Sequence, residues 1–248
     1  GVGLTSEFAI EVINFSSKHG NSVILDKVSF SIKKGEMVCL VGPSGVGKST
    51  IIEALVGRKT PTGGVIKILG KNIKSQKILD FVGYVPQAPE LYANQTVEQN
   101  LLSSAIKWNI KDAKAKIDKI LSLVDLLDIK GVKANKLSGG QQKLLSLSME
   151  LIRDVEICVL DEPTSGLDPN TRNKVITILR NISSQLSKTV FFTTHFMDDA
   201  EECDNVIILA NKTIAAQGSP SRLKKSLPGS GKIINIILDN VTDNLLKS

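Results

Sequence analysis

Met37-Val38-Cys39-Leu40-Val41-Gly42-Pro43-Ser44-Gly45-Val46-Gly47-Lys48-Ser49-Thr50 is the stretch on which the fold turns. Five apolar residues lead without a break into an octapeptide of the form G-x-x-x-x-G-K-[ST], followed by Thr50. A run apolar at every position predicts a strand buried on both faces, as in a parallel sheet covered by helices. Glycines let the following backbone curl so that several N–H groups converge on one anion, and the positive end of the next helix adds to them. Lys48 is expected to reach the β- and γ-phosphates of a nucleoside triphosphate, and the Ser49 hydroxyl to ligate magnesium. Gly42, Pro43, Ser44, Gly45, Val46, Gly47, Lys48, Ser49 and Thr50 all belong to this cradle.

A phosphate cradle of this kind works with an acid at the end of a neighbouring strand. Ile157-Cys158-Val159-Leu160-Asp161-Glu162 supplies four apolar residues and then two carboxylates. Asp161 is placed to hold magnesium and Glu162 to polarise an attacking water. Two acids at a strand end also suit a capped turn, but the cradle upstream makes them read as a hydrolytic pair.

Working outward, short apolar runs recur at Phe8 to Val12, Phe81 to Val85, Val190 to Thr194 and Val206 to Ala210. Alternating with helical patterns, they predict a largely parallel sheet with helices on both sides. Up to about Gly70, turn signals at Lys34-Gly35 and Thr62-Gly63-Gly64 predict a small antiparallel sheet instead. Between Thr96 and Lys136 the pattern is helical, and Ile106, Ile117, Ile120, Leu121 and Val124 are expected to face a core.

Composition bounds the class. At 248 residues, 42% hydrophobic and 23% charged, the chain can bury a sizeable core. No run approaches the roughly 18 to 20 apolar residues that cross a bilayer, and Gly1 to Leu4 lack a basic-then-apolar leader pattern, so a soluble domain is expected. Three cysteines without a C-x-x-C pair suggest neither a disulfide framework nor a zinc site. The net charge of +6 is spread along the chain, and without interleaved aromatic and basic residues no nucleic-acid partner is expected.

Phosphate cradles are shared by unrelated nucleotide hydrolases, so this one alone gives no function. Leu137-Ser138-Gly139-Gly140-Gln141 narrows the choice. By its chemistry it is a second phosphate grip, a serine hydroxyl and two glycine N–H groups at the start of a helix running to about Arg153. Seen alone, Ser-Gly-Gly is also an ordinary helix N-cap. With this pentapeptide the sequence resembles the ATP-binding cassette (ABC) family, whose signature it is, and the resemblance covers nearly the whole chain.

The resemblance implies an α/β fold: a P-loop NTPase core with a mostly parallel sheet flanked by helices, a small antiparallel β subdomain and an inserted α-helical subdomain. It implies one domain over residues 1–248, with the core in 1–95 and 155–248 and the helical subdomain in about 96–154. ATP and Mg²⁺ would be the cofactors. Gln87, in Tyr84-Val85-Pro86-Gln87, would contact the metal and the attacking water and hinge the helical subdomain, where Pro86 and Pro89 interrupt regular structure. His195 would be the switch histidine near the γ-phosphate, Asp168 in Ser165-Gly166-Leu167-Asp168 would cross a dimer interface, and Ser138, Gly139, Gly140 and Gln141 would grip ATP bound to a second copy.

One position departs from the family. Where relatives stack adenine on an aromatic ring, this chain has His19, with Phe15 a weaker candidate. Gln87-x-x-x-Leu91-Tyr92, Thr96 to Leu101, and Thr194 to Glu201 resemble the A-type lipid exporters and bacterial drug-export cassettes, with G-type exporters as runner-up. The implied partners are a second cassette, identical or not, and a transmembrane domain, fused or separate, at the cytoplasmic face of a membrane. Leu91, Tyr92 and Ala93 would line its docking cleft, or else simply pack the subdomain junction. The alternative is a soluble cassette ATPase of DNA repair, chromosome maintenance or translation. Such relatives insert a zinc module or coiled coil before the signature, or carry two cassettes, and this chain has neither. A cassette that binds without turnover often lacks the glutamate or histidine, and Glu162 and His195 are both here.

Overall fold

The computed structural model describes residues 6–73 and 77–226; the Gly1 to Leu4 start lies outside them. The first half runs β1 (Phe8–His19), β2 (Ser22–Lys33), β3 (Met37–Val41), α1 (Lys48–Leu55), β4 (Gly63–Ile68), β5 (Lys71–Asn72), β6 (Val82–Val85), α2 (Val97–Lys107) and α3 (Ala113–Leu123). The second half runs α4 (Gly139–Leu151), β7 (Ile157–Leu160), α5 (Pro169–Gln185), β8 (Thr189–Thr194), β9 (Asn205–Ala210), β10 (Thr213–Gly218) and α6 (Pro220–Ser226).

The strands form two sheets. One is antiparallel, in the order β2-β1-β4-β5, and the other has the order β10-β9-β3-β8-β7-β6. In the second sheet every pairing is parallel except that of β10 with β9. This is the expected α/β architecture, and the apolar runs explain it. Along β3, Met37, Cys39 and Val41 point into one apolar cluster and Val38 and Leu40 into another. Strand β7 divides likewise, Cys158 and Leu160 against Ile157 and Val159. A strand with both faces buried cannot alternate with polar residues.

The first cluster joins the sheet to Leu101 of α2, Leu121 of α3, Leu144 of α4 and Leu179 of α5. The second joins it to α1 through Ile51 and Leu55 and to the antiparallel sheet through Phe15, Leu25 and Phe30. Each such side chain, fully buried, contributes about 1.5 to 3 kcal/mol. Helix α2 starts at a capping box in which the Thr96 hydroxyl accepts from the Gln99 N–H and the Gln99 side chain accepts from the Thr96 N–H.

Several expectations need correction. Ile106 is 79% exposed rather than core-facing. The buried stripe of α2 is Val97, Asn100, Leu101, Ser104 and Ala105, and the next residue is turned about 100° beyond Ala105, off that face. Strand β1 extends seven residues past Val12 to His19, because antiparallel pairing to β2 needs only backbone and tolerates the polar residues that masked it. Helix α4 ends at Leu151, two residues short of Arg153.

Candidate functional site

The parallel strands place the sequence motifs side by side. The phosphate loop follows β3, Asp161 and Glu162 follow β7, and His195 follows β8, all at carboxyl ends of adjacent strands, where ligands of open α/β sheets bind. Gln87 follows β6, next in the sheet.

Loop 42–47 is held by the Gly42 N–H on the Thr194 carbonyl at 3.1 Å, and Gly47 initiates α1 with φ +110°. A side chain at Gly47 is excluded twice, by that backbone angle and by Leu25 Cδ2, which lies 2.9 Å from where a Cβ would stand. Lys48 is 4% exposed; its ammonium donates to the carbonyls of Gly42 and of Pro43 and sits 3.3 Å from a Glu162 carboxylate oxygen. Burial pushes the Lys48 ammonium below its usual range, opposed by Glu162 and Asp161.

Asp161 is 7% exposed and accepts from the Ser49 hydroxyl at 3.2 Å and the Thr193 hydroxyl at 2.9 Å. Burial pushes its carboxyl above the ordinary range, and those two hydrogen bonds oppose the rise. Among the described residues no group of three His, Cys, Asp or Glu side chains could cage an ion. Magnesium does not require a cage, since it is commonly held by one or two protein oxygens together with phosphate and water.

Glu162 has φ +45°, the left-handed region that a residue with a side chain enters only when its surroundings hold it there. Its N–H donates to the Thr193 hydroxyl oxygen at 2.9 Å, and its carboxylate lies 3.4 Å from His195 Nδ1. The His195 ring rests against Phe196 with centroids 3.9 Å apart, and the Arg172 guanidinium covers Phe196 at 3.8 Å. Gln87 donates to the Ser165 hydroxyl at 3.5 Å.

Ser138 is the N-cap of α4 in a second capping box, with the Gln141 N–H donating to its hydroxyl at 3.3 Å and the Gln141 side-chain oxygen accepting from the Ser138 N–H at 3.0 Å. Gly139 and Gly140 pack against Leu167, and a Cβ at Gly140 would stand 2.7 Å from Thr171 Cγ2. The signature therefore leans on the Ser165 to Asp168 loop of its own chain. Asp168 is exposed and caps α5, accepting from the Thr171 N–H at 3.1 Å and from the Thr171 hydroxyl, which holds its carboxyl below the usual range.

The candidates for the base platform separate. Phe15 is fully buried in the core and unavailable for stacking, which corrects its candidacy. His19 is exposed at the turn from β1 to β2, paired with Ser22. Ile24 and Leu25 of the same β2 strand touch the phosphate loop at Gly47.

Residues 25–165 match the family model described as ABC transporter, more than half of the chain. The chain belongs to this ABC transporter family. It is 35% identical over 223 residues to the Nod factor export ATP-binding protein I of Sinorhizobium fredii (strain NBRC 101917 / NGR234), covering 88% of this chain and 65% of that protein. It is 36% identical over 229 residues to the probable multidrug ABC transporter ATP-binding protein YbhF of Escherichia coli (strain K12), covering 90% of this chain and 39% of that protein. Among solved structures it resembles the dimeric post-hydrolysis state of the ATP-binding cassette MJ0796 bound to ADP and Pi, with TM-score 0.73, 26% identity and coverage of 85% of this chain and 98% of that one. The chain thus spans less than two thirds of the length of these two curated relatives. Both curated relatives are named as ATP-binding proteins, one of Nod factor export and one of a probable multidrug transporter.

Several residues of this ABC site carry no signal of their own in the sequence. Thr193 links Asp161 to Glu162 from a strand more than thirty residues away. Asp199, 2% exposed, accepts from the hydroxyls of Thr164 and Thr194 at 2.6 Å each, with Arg172 Nε at 3.7 Å. Asn100, fully buried, ties its amide to Tyr92, Gln95 and Thr96 and fixes the loop that follows Gln87. Lys143, on α4, donates to the Glu162 carbonyl at 2.9 Å.

Proposed function

We propose that this cassette hydrolyses ATP between two copies arranged head to tail, and that turnover drives export through a membrane-spanning partner. The observation that carries the reading is the convergence of Lys48, Asp161, Glu162 and His195 beside a loop of backbone amides, at the ends of β3, β7 and β8.

In this reading the loop from Gly42 to Thr50 takes the phosphate chain, and Lys48 turns from the Gly42 and Pro43 carbonyls to the β- and γ-phosphates. Ser49 and Asp161 suit Mg²⁺: they are hard oxygen donors 3.2 Å apart, and a cation would offset the burial of the carboxyl. When bound, the ion supplies charge neutralisation on the phosphate oxygens. Glu162 orients the attacking water and takes its proton. His195, steadied by Phe196 and Arg172, contacts the γ-phosphate. Gln87 contributes a further oxygen toward metal and water. Ser138, Gly139, Gly140 and Gln141 complete the site of the other copy, with Asp168 at the interface, and His19 serves as the platform for the base.

The division into a core of 1–95 and 155–248 and a helical subdomain of about 96–154 is part of the same proposal. A cleft of about 400 Å³ is lined by Tyr84, Leu91, Tyr92, Trp108 and Arg153, and Tyr92 is 52% exposed. In this reading it offers a dock for a cytoplasmic segment of the membrane partner next to the Gln87 hinge, with the domain at the cytoplasmic face. Among the described residues no helix is long and apolar enough to cross a membrane.

The test is Glu162→Gln, which keeps the shape and removes the base. It should bind Mg-ATP, turn over at least about a hundredfold more slowly and accumulate as a dimer in sedimentation. A variant that stays monomeric at high protein concentration with saturating Mg-ATP would overturn the dimer reading, and undiminished phosphate release would overturn the assignment of Glu162.

A further inference from the structure

We infer that Lys143 is a positioning residue for Glu162, a strut by which the signature helix holds the backbone of the general base. The inference rests on the proposed role of Glu162. Lys143 is 8% exposed, although a lysine on a helix ordinarily reaches solvent. Its ammonium crosses from α4 to the turn after β7 and donates to the Glu162 carbonyl at 2.9 Å, an oxygen that also accepts from the Ser165 N–H at 3.2 Å.

Glu162 is a left-handed residue, so its carboxylate direction depends on what anchors the two peptides flanking it. Thr193 anchors the preceding peptide at its N–H, from the core strand β8. Lys143 anchors the following peptide at its C=O, from α4. The Ser165 N–H belongs to the same turn and cannot by itself fix that turn against the rest of the molecule. Burial pushes the Lys143 ammonium below its usual range, and the Glu162 and Asp161 carboxylates oppose that shift.

The consequence is a link between two ATP sites. Ser138 caps α4 and Lys143 sits five residues along the same helix, about 7.5 Å on at 1.5 Å per residue. A rigid helix moves both together. In the head-to-tail dimer, a signature that closes on the other copy's ATP therefore presses on the general base of its own site through one charge-assisted hydrogen bond. Neither Gln141 nor Asp168 makes such a contact with Glu162; they cap helices.

The experiment compares the full chain with Lys143→Met, Lys143→Arg and Glu162→Gln in Mg-ATP turnover, calorimetric ATP binding and sedimentation. Methionine keeps the buried stem and removes charge and donor. It should lower kcat about tenfold or more, leave KM and the ATP dissociation constant within about twofold, and shift the population in ATP toward the dimer, as Glu162→Gln does. A residue that only fills the core would not trap a dimer. Arginine, which retains charge and donors, should recover at least about half of the parent turnover. If Lys143→Met does not fold, Lys143→Gln, a shorter neutral donor, is read by the same kcat and binding criteria. A methionine or glutamine variant with parent kcat, or one whose ATP affinity falls in step with kcat, overturns the strut. If Glu162→Gln itself turns over normally, the role of Glu162 fails first; if Glu162→Gln is inactive while Lys143→Met behaves as the parent, only the strut fails.

Discussion

Thr193→Val should destabilise the protein by about 3 to 5 kcal/mol, most of it at neutral pH. Valine matches threonine in volume, so no cavity opens, and the change isolates the hydroxyl. That hydroxyl is fully buried, donates to Asp161 at 2.9 Å and accepts from the Glu162 N–H at 2.9 Å. A hydrogen bond to a charged group contributes about 1.5 to 3 kcal/mol, and a buried donor left without an acceptor costs about 1 to 3 kcal/mol. In a chain of this size each kcal/mol lowers Tm by about 2 to 4 °C, so a fall of about 10 °C is expected. Thr193→Ser keeps both bonds and loses one methyl, which costs only about 1 kcal/mol. The assay is thermal unfolding of both variants in chelator, so that no cation masks Asp161.

The pH dependence sharpens the test. Asp161 titrates above the ordinary carboxylate range because it is buried, and the Thr193 bond is one of the contacts that restrain the rise. A carboxyl raised in the folded state binds more protons folded than unfolded between the two pKa values, so its contribution to stability falls as pH rises through that window. The loss is complete above the folded pKa. Valine raises that pKa further, and the gap between the valine and serine variants should be widest at neutral pH and narrow on acidification. Equal Tm values at about pH 7.5, or a gap that grows in acid, would refute the assignment of this hydroxyl as the clamp between the two acids.

Asn100→Ala leaves the Tyr92 N–H without its acceptor and takes a second donor from the carbonyls of Tyr92, Gln95 and Thr96, which keep their backbone partners; it should cost about 2 kcal/mol in urea unfolding, and limited proteolysis should then cut first between residues 91 and 96. Cys39, Cys158 and Cys203 are all buried, with the Cys39 thiol raised by burial and Cys158 pushed up to about 12, so a thiol-exchange reagent at about pH 8 should modify none in the native protein and all three in denaturant. Rapid native labelling of any one would contradict the packing of the sheet.

The loop after β3 that leads into α1 was legible in the sequence because its glycines directly follow an unbroken apolar strand, and so was the helix start at Ser138 to Gln141. The acids Asp161 and Glu162 were legible because four apolar residues lead straight into them. These are local devices, in which the chemistry and the residues that carry it are neighbours in the chain. The exposed Ile106, the buried Phe15 and the full length of β1 were not legible, since burial depends on which face a neighbouring element covers. Thr193, Asn100, Asp199 and Lys143 are ordinary polar residues in the sequence. Only tertiary structure gave each one a partner: β3, β8 and β7 lie side by side, so Thr193 reaches both acids and Lys48 reaches Glu162, and the packing of α4 takes a lysine out of water and sets it on a carbonyl. In a dry interior such a contact decides a side chain's role, and the residue type alone does not, because an ammonium or hydroxyl removed from water is held to whatever acceptor the fold brings within about 3 Å.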